Sequence, residues 1–253
     1  MVWSGSHLLC YYLEFLGRTR KCIGAVLELG AGVGLCSAVA IRAGACDHLC
    51  TTDMAAPVLE LASQNLQVAA NAAKAGAKSV EWSVAQLNWG DEAQIDRILR
   101  ALPHPTHANE TRFDTVLAAE VIYPDIDLPT LHQLFKTVDL MLVTGGAFIC
   151  AFVERNAPSV MRMLEVAGKT GWQLDLIPST NFLPSSESSA ATRVHAMEGA
   201  KLLKFTRAVQ GCNNGLGELD CAIFPGLKAR LQRMARTAHE VEEWVAPFAT
   251  VDL

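Results

Sequence analysis

A glycine-rich turn near the start of the chain is the feature that most restricts its fold. An apolar run with strand character, residues 25–29, leads directly into Gly30-Ala31-Gly32-Val33-Gly34, and a second apolar run ends at Asp53. Glycines directly after a strand allow the backbone to turn sharply and to approach a ligand, and an acid about 20 residues further on can accept hydrogen bonds from ribose hydroxyls. The pattern predicts a strand–turn–helix unit that binds a nucleoside cofactor.

The spacing of these glycines distinguishes between nucleoside cofactors. A dinucleotide-binding turn follows G-x-G-x-x-G, but here the third glycine, Gly34, comes one position early and Leu35 occupies the dinucleotide position. Glu28, two residues before the first glycine, would repel a pyrophosphate and attract the cationic methionine end of S-adenosylmethionine (SAM). The spacing therefore favours SAM over NAD. The alternative is that the glycines only form a tight connection between a strand and a helix.

The composition limits the functions that the chain can have. Its 253 residues, 51% of them hydrophobic, are enough for the core of one α/β domain. The net charge of -5 and the absence of a basic stripe argue against nucleic acid as a partner and suit a basic protein. No apolar run approaches the roughly 20 residues that cross a bilayer, and the N-terminal residues do not resemble a signal peptide. We therefore expect no membrane partner and an intracellular protein.

The spacing of cysteine and histidine bears on disulfides and metals. The eight cysteines include no C-x-x-C pair, and several lie within apolar runs. We therefore expect free thiols in a reducing compartment, the cytoplasm, with the nucleus as a second location. His104 and His107 lie in a proline-rich loop, but no cysteine or carboxylate cluster completes a ligand set. The sequence predicts no metal site.

Apolar runs of β type alternate along the chain with helical stretches, which is typical of a parallel sheet with helices on both faces. The predicted strands are residues 25–29, 48–52, 80–85, 113–118, 147–152, 172–177 and 201–207. The predicted helices are residues 8–16, 35–43, 55–75 and 128–143, the last ended by Gly145-Gly146. Residues 103–112 and 178–200 have the composition of loops. We predict an α/β fold with a doubly wound, mostly parallel seven-stranded sheet in a domain of residues 1–207. A C-terminal extension, residues 208–253, is predicted to be helical and packed on that domain.

Several motifs together resemble those of the seven-β-strand SAM-dependent methyltransferases. They are Val2-Trp3 before an apolar helix, the loop from Glu28 to Gly34, Thr52-Asp53, Leu87-Asn88-Trp89-Gly90 and Ala118-Ala119-Glu120-Val121-Ile122-Tyr123. The last motif, an acid-x-x-Tyr sequence after the fourth strand, is similar to that of methyltransferase family 16, which modifies lysine on non-histone proteins such as translation factors and chaperones. The resemblance spans about residues 2–207. It implies a Rossmann-like SAM methyltransferase fold, SAM as cofactor and a protein substrate.

The resemblance also assigns residues to the cofactor pocket. Backbone atoms of the glycine loop would lie along the methionine part of SAM, and Asp53 would hold the ribose. Trp89 offers a flat apolar face for adenine. With Glu28 added from its charge, the predicted cofactor-binding residues are Trp3, Glu28, Gly30, Ala31, Gly32, Asp53, Trp89 and Ala119.

Glu120 and Tyr123 are the predicted catalytic residues, which by the resemblance face the incoming lysine. A lysine amine has a reference pKa of about 10.4, so the site must favour loss of a proton before attack. We expect Tyr123 to supply an aromatic wall or a hydroxyl contact and Glu120 to orient the amine. A carboxylate favours the ammonium form, so Glu120 is assigned positioning rather than proton abstraction. The alternative is structural: Glu120 caps a turn and Tyr123 packs beside Pro124.

Other functions fit parts of the pattern. The same cofactor site could serve histidine, arginine or a small molecule as the acceptor, because one fold hosts many reactions. Members of this branch usually carry further sequence before the segment that matches Val2-Trp3, and its absence here fits a catalytically inactive module that binds a partner. An NAD-dependent oxidoreductase is disfavoured by the glycine spacing.

Overall fold

Strands and helices alternate along the part of the chain that the computed structural model describes, which is residues 4–73, 78–102, 110–183, 199–207, 223–227 and 229. The strands are β1 Ala25–Leu29, β2 His48–Asp53, β3 Glu81–Gln86, β4 Phe113–Ala119, β5 Leu142–Val153, β6 Trp172–Ile177 and β7 Ala200–Arg207. The helices are α1 Ser4–Arg18, α2 Leu35–Ala43, α3 Ala56–Asn71, α4 Glu92–Arg100, α5 Leu128–Met141 and α6 Ala157–Lys169. All of the strands form one sheet in the order β3-β2-β1-β4-β5-β7-β6.

The sheet is mostly parallel and winds in two directions. Strand β1 pairs in parallel with β2 on one side and with β4 on the other, so the chain reverses its direction of winding between β1 and β4. Strand β7 runs antiparallel to both β5 and β6. The predicted doubly wound, mostly parallel sheet is therefore confirmed.

Each face of the sheet is covered by its own group of helices. All five residues of β1 are buried, as expected for a strand with helices on both sides. Alternate β1 residues face opposite cores: Leu27 and Leu29 belong to the core beneath α4, α5 and α6, whereas Val26 belongs to the core beneath α1, α2 and α3. The two-residue period of a strand thus places Glu28 on the same face as Val26.

The glycine pair Gly145-Gly146 has a different role from the predicted one. Helix α5 ends at Met141, and β5 begins at Leu142 and runs through both glycines instead of starting at residue 147. The β4–β5 register shifts between Phe113 and Thr115, and Gly145 has a φ of +81° there. A Cβ at Gly146 would lie 2.8 Å from the Asp114 carbonyl oxygen. The prediction of a helix over 128–143 stopped by these glycines was wrong at its end, because they form an irregularity of the strand instead.

Other element boundaries differ less. Helix α1 extends to both sides of the predicted 8–16, and α3 ends at Asn71 rather than at residue 75. Helices α4 and α6 lie in segments for which no bounds were predicted. Asp91 marks the start of α4, because its side chain accepts a hydrogen bond from the Gln94 N–H at 3.0 Å. This N-cap is the sequence signal that was available for α4.

Part of the C-terminal extension contacts the domain. Ile223, Phe224 and Leu227 are buried, and the rings of Phe224 and Phe152 meet edge to face with centroids 6.1 Å apart. Most of residues 208–253 and of the two predicted loops lies outside the described residues. The domain boundary and the helical form of the extension stay predictions. None of the described helices has the length and apolar character that a membrane span requires.

Candidate functional site

A cavity of about 810 Å³ lies at the carboxyl ends of the parallel strands, where the winding direction reverses between β1 and β4. Ligands of doubly wound sheets bind at this position, and pockets for such ligands measure roughly 300–1,000 Å³. The predicted site residues that line it are Gly30, Ala31, Gly32, Asp53, Trp89, Ala119, Glu120 and Tyr123. Glu28 is not among the lining residues, and Trp3 lies outside the described part of the chain.

The glycine loop after β1 forms the floor of this cavity. Gly30 and Gly32 have φ angles of +62° and +54°, a region that residues with a Cβ seldom adopt. A Cβ at Gly30 would lie 2.8 Å from Cγ1 of Val121, whereas a Cβ at Gly32 would have no described heavy atom within 4 Å. Gly30 is therefore required for close packing on the segment after β4, and Gly32 leaves open space above the loop.

Asp53, at the end of β2, fixes the glycine loop from the side. One carboxylate oxygen accepts the Gly32 N–H and the other accepts the Ala55 N–H, each at 3.0 Å. A carboxylate has about four acceptor positions, so both oxygens retain capacity for ligand hydroxyls. Asp53 therefore holds the glycine loop in place and can still accept hydrogen bonds from a ligand in the cavity.

Glu28 lies beneath the loop rather than in the cavity. Its side chain is on the α1–α3 face of β1, 2% exposed, and accepts hydrogen bonds from the N–H of Ser37 at 3.0 Å and from the Ser37 hydroxyl. The same hydroxyl lies 2.6 Å from Oγ1 of Thr51. Burial raises the pKa of Glu28 to about 7, although the hydrogen bonds from Ser37 oppose the shift. The carboxylate thus ties β1 to α2, and its contact with the methionine end of a cofactor stays a prediction.

Trp89 forms a side wall of the cavity and packs on the core beneath α4–α6. Its loop is held at both ends: the Leu87 N–H donates to the Asp53 carbonyl at 3.0 Å, and the Gly90 N–H donates to Oγ1 of Thr137 at 2.8 Å. These contacts place a half-buried indole beside the glycine loop. A flat apolar surface at this position suits a planar base.

Glu120 connects the end of β4 to two distant segments. Its φ of +60° is unusual for a residue with a Cβ, and its N–H donates to the Ala151 carbonyl at 2.9 Å. One carboxylate oxygen accepts the Gly5 N–H at 2.8 Å, and the other lies 2.7 Å from Nη1 of Arg155. Sequence reasoning found Glu120 but missed both of its partners, since no local spacing links residues 115 positions apart.

Tyr123 lies at the mouth of the cavity and is 46% exposed. The turn after it is closed by the Ile126 N–H, which donates to the Tyr123 carbonyl at 3.2 Å. Two further lining residues at the mouth, Val33 and Met54, also expose apolar side chains. The entrance is therefore largely apolar, with the tyrosine hydroxyl available to a ligand.

The fold and the cavity together define a Rossmann-like protein that holds a nucleoside cofactor on a glycine loop after β1. The model of the lysine methyltransferase family matches residues 1–161, which is more than half of the chain. The chain therefore belongs to the lysine methyltransferase family, as the motifs predicted.

Two curated relatives agree with this assignment. The protein-lysine methyltransferase METTL21E of Bos taurus is 34% identical over 140 residues, which are 55% of this chain and 42% of that protein. The protein N-lysine methyltransferase METTL21A of Danio rerio is 31% identical over 136 residues, 54% of this chain and 53% of that protein. A solved TehB-like SAM-dependent methyltransferase from Corynebacterium glutamicum aligns with a TM-score of 0.49 and 15% identity over 82% of this chain and 89% of that chain. The chain spans about half the length of the curated relatives that it matches.

SAM is the cofactor of this family, and the described residues fit it. The space above Gly32 is open, the Asp53 carboxylate has acceptor capacity for ribose hydroxyls, and Trp89 presents a flat face. Within the described residues, no group of three histidine, cysteine or acidic side chains could hold a metal ion.

Proposed function

We propose that this chain is a SAM-dependent protein-lysine N-methyltransferase that acts on a non-histone intracellular protein. One observation carries the proposal: the glycine loop, Asp53 and Trp89 share a single cavity with Glu120, and Tyr123 stands at its mouth. The family assignment and the names of the relatives point to the same activity.

The cofactor would be held by residues from the ends of four strands. Asp53 would accept hydrogen bonds from the ribose, and Trp89 would cover the adenine. Backbone atoms of Gly30, Ala31 and Gly32 would lie along the methionine part. Ala119 would form the wall beside them, and Trp3 would close the pocket. When bound, SAM supplies an electrophilic methyl group.

The remaining residues would prepare the lysine. Its amine must lose a proton first, and leaving water for a largely apolar entrance lowers the pKa of an ammonium group. Tyr123 would contact the aliphatic part of the lysine and direct it into the cavity. Glu120 would orient the amine through an acceptor position that its contacts with Gly5 and Arg155 leave open. Catalysis would consist of alignment and of keeping water out.

The surface around the mouth supports a substrate segment with basic character. Asp125 is exposed in the same turn as Tyr123, and Asp127 and Leu128, at the start of α5, are exposed directly after that turn. A lysine flanked by basic and apolar residues would match this combination of carboxylates and apolar side chains. We place the substrate among translation factors or chaperones. The six free cysteines of the described residues support a reducing compartment, the cytoplasm or the nucleus.

A methyl-transfer assay tests the proposal. The purified protein is incubated with methyl-labelled SAM and a cell extract, beside an Asp53→Ala variant that should not hold the cofactor and an Asp47→Ala variant as matched control. We expect label in a protein band that the Asp53 variant loses and the Asp47 variant keeps, with methyl-lysine after hydrolysis. Label confined to small molecules, or methylation of another amino acid, would overturn the proposed acceptor.

A further inference from the structure

Gly5, Glu120 and Arg155 form a partly buried contact that we call the α1 clamp. The Glu120 carboxylate accepts the Gly5 N–H at 2.8 Å and pairs with the Arg155 guanidinium at 2.7 Å. The first N–H groups of a helix have no acceptor within the helix, and a carboxylate placed there also meets the positive end of the helix dipole. Glu120 thus caps α1 from a strand that is distant in the sequence.

Both ends of the clamp are held in place. The Glu120 side chain is only 4% exposed, so removal of Arg155 would leave a buried carboxylate without its cation. The Glu120 backbone is fixed by its hydrogen bond to Ala151 and by its left-handed conformation. On the other side, a Cβ at Gly5 would lie 2.9 Å from Cγ and Oε1 of Glu120 and 3.2 Å from the Ala151 carbonyl oxygen. Only glycine allows α1 to come this close.

The clamp lies directly beside the cofactor cavity. Ser6, the residue after Gly5, lines that cavity, and its carbonyl accepts a hydrogen bond from the Cys36 thiol at 3.7 Å. The rest of α1 is attached independently, because Leu8, Leu9 and Leu13 are buried in the core beneath it. Loss of the clamp would therefore release the first turn of α1 and leave the helix in place.

We infer that Glu120 is a positioning residue that holds the first turn of α1 as a wall of the cofactor cavity, with Arg155 as its essential partner. The inference rests on the proposed function only in taking SAM as the ligand of this cavity. It assigns Glu120 a second role that does not depend on the substrate amine.

Variants at the two partners separate this role from a direct contact with the amine, because neither Gly5 nor Arg155 lines the cavity. We expect Arg155→Met and Gly5→Ala each to weaken SAM binding about tenfold, as measured by calorimetry, since the first removes the ion pair of Glu120 and the second displaces its hydrogen bond from Gly5. Hydrogen exchange of residues 4–9 should accelerate while that of the α3 amides changes little, and the melting temperature should fall in Arg155→Met because the Glu120 carboxylate loses its cation. At saturating SAM, the kcat of both variants should be close to that of the unmodified chain.

Two further variants serve as controls. Arg155→Lys should restore most of the SAM affinity, and Ser4→Ala, in the same turn, should bind SAM as the unmodified chain does.

The outcomes distinguish this inference from the proposed function. If SAM affinity and α1 exchange are unchanged in both Arg155→Met and Gly5→Ala, the clamp has no positioning role, whatever the substrate is. Failure of Arg155→Lys to restore affinity would also overturn it. If no lysine is methylated but the affinity and exchange effects appear, the clamp stands and the proposed function fails.

Discussion

Two cavities of nearly equal volume lie at opposite ends of the sheet, and their chemistry differs. The cavity at the carboxyl ends measures about 810 Å³ and the one at the amino ends about 800 Å³. Asp53 and Glu120 contribute carboxylates to the first. The second is lined by one acid, Glu14, and by five cationic residues, which are Arg18, Arg20, Lys21, Arg42 and Lys78.

The direction of the chain explains this difference. Helices α1 and α2 end at the amino edge of the sheet, and Arg18 and Arg42 lie in their last turns, where the negative end of the helix dipole attracts cations. The glycine loop and the start of α2 lie at the other edge and present backbone N–H groups. The reacting ends of SAM and of the proposed lysine substrate are cationic, so the amino-end cavity would repel both. Cavity volume therefore does not distinguish the cofactor site, whereas the direction of the strands and helices at each edge of the sheet does.

The largest expected effect concerns the buried acid beneath the carboxyl-end cavity. The Glu28 carboxyl titrates near 4.5 when unfolded and near 7 when folded, because burial disfavours the charged form. Between these pH values the folded state holds more protons, so the free energy of unfolding should fall by about 3 kcal/mol as the pH rises from 4.5 to 7. Urea unfolding across this range should show a flatter profile for Glu28→Gln. An unchanged slope in that variant, with Glu14→Gln as the exposed control, would contradict the assignment.

Asp53 and Asp47 provide a direct comparison of the two ends, since Asp47 precedes β2 and Asp53 ends it. Asp53→Ala removes the acceptor of the Gly32 and Ala55 N–H groups and should weaken SAM binding about a hundredfold. Asp47→Ala removes an exposed ion pair with Lys78 and a hydrogen bond from the Cys22 thiol, both away from the carboxyl-end cavity, and should leave the affinity within about twofold. Calorimetric titration of both variants measures this. An equal loss of SAM affinity in the two variants would contradict the assignment of SAM to the carboxyl-end cavity.

The two glycines of the loop should respond differently to alanine. Gly30→Ala adds a Cβ that would lie 2.8 Å from Val121, so we expect about 2 kcal/mol of lost stability. Gly32→Ala meets open space and should lose about 1 kcal/mol from its positive φ alone. The added methyl group of Gly32→Ala would lie in the cavity, however. The variant should therefore lose more free energy of SAM binding than free energy of unfolding. Denaturant unfolding and SAM titration of both variants measure these effects. A Gly32→Ala variant less stable than Gly30→Ala would contradict the expectation.

Tyr123→Ala should raise the KM for a protein substrate about tenfold and leave SAM affinity unchanged, because Tyr123 stands at the mouth of the cavity. Leu176→Ala is the matched control, since Leu176 is 40% exposed on β6 and lies away from the mouth. Steady-state kinetics with a lysine-containing substrate compare the two. A similar KM for both variants would exclude Tyr123 from substrate contact.

The smallest effect is expected at the amino-end cavity. Arg42→Ala removes a cation from the last turn of α2 and should lower the free energy of unfolding by about 0.5 kcal/mol through the helix dipole. SAM affinity should not change measurably. A loss of SAM binding in this variant would show that the cations at this end have a functional role toward the cofactor.

Local patterns accounted for much of the fold and for part of the candidate site. The bounds of β1, α2 and β6 agree with the predicted ones, because hydrophobic period and glycine stops act within a few residues. Gly145-Gly146 showed the limit of such rules: a glycine pair can end a helix or allow a strand to bend, and the neighbouring strand decides which.

By itself, the sequence determined that a glycine loop and an acid follow neighbouring strands of a doubly wound sheet, since these features depend on spacing along the chain. Tertiary structure alone decided where the buried carboxylates point. Glu28 turns to Ser37 because of its face on β1, and Glu120 joins Gly5 to Arg155 across more than a hundred residues. The partners of a buried charge are residues that tertiary packing places beside it, and a local sequence pattern does not identify them.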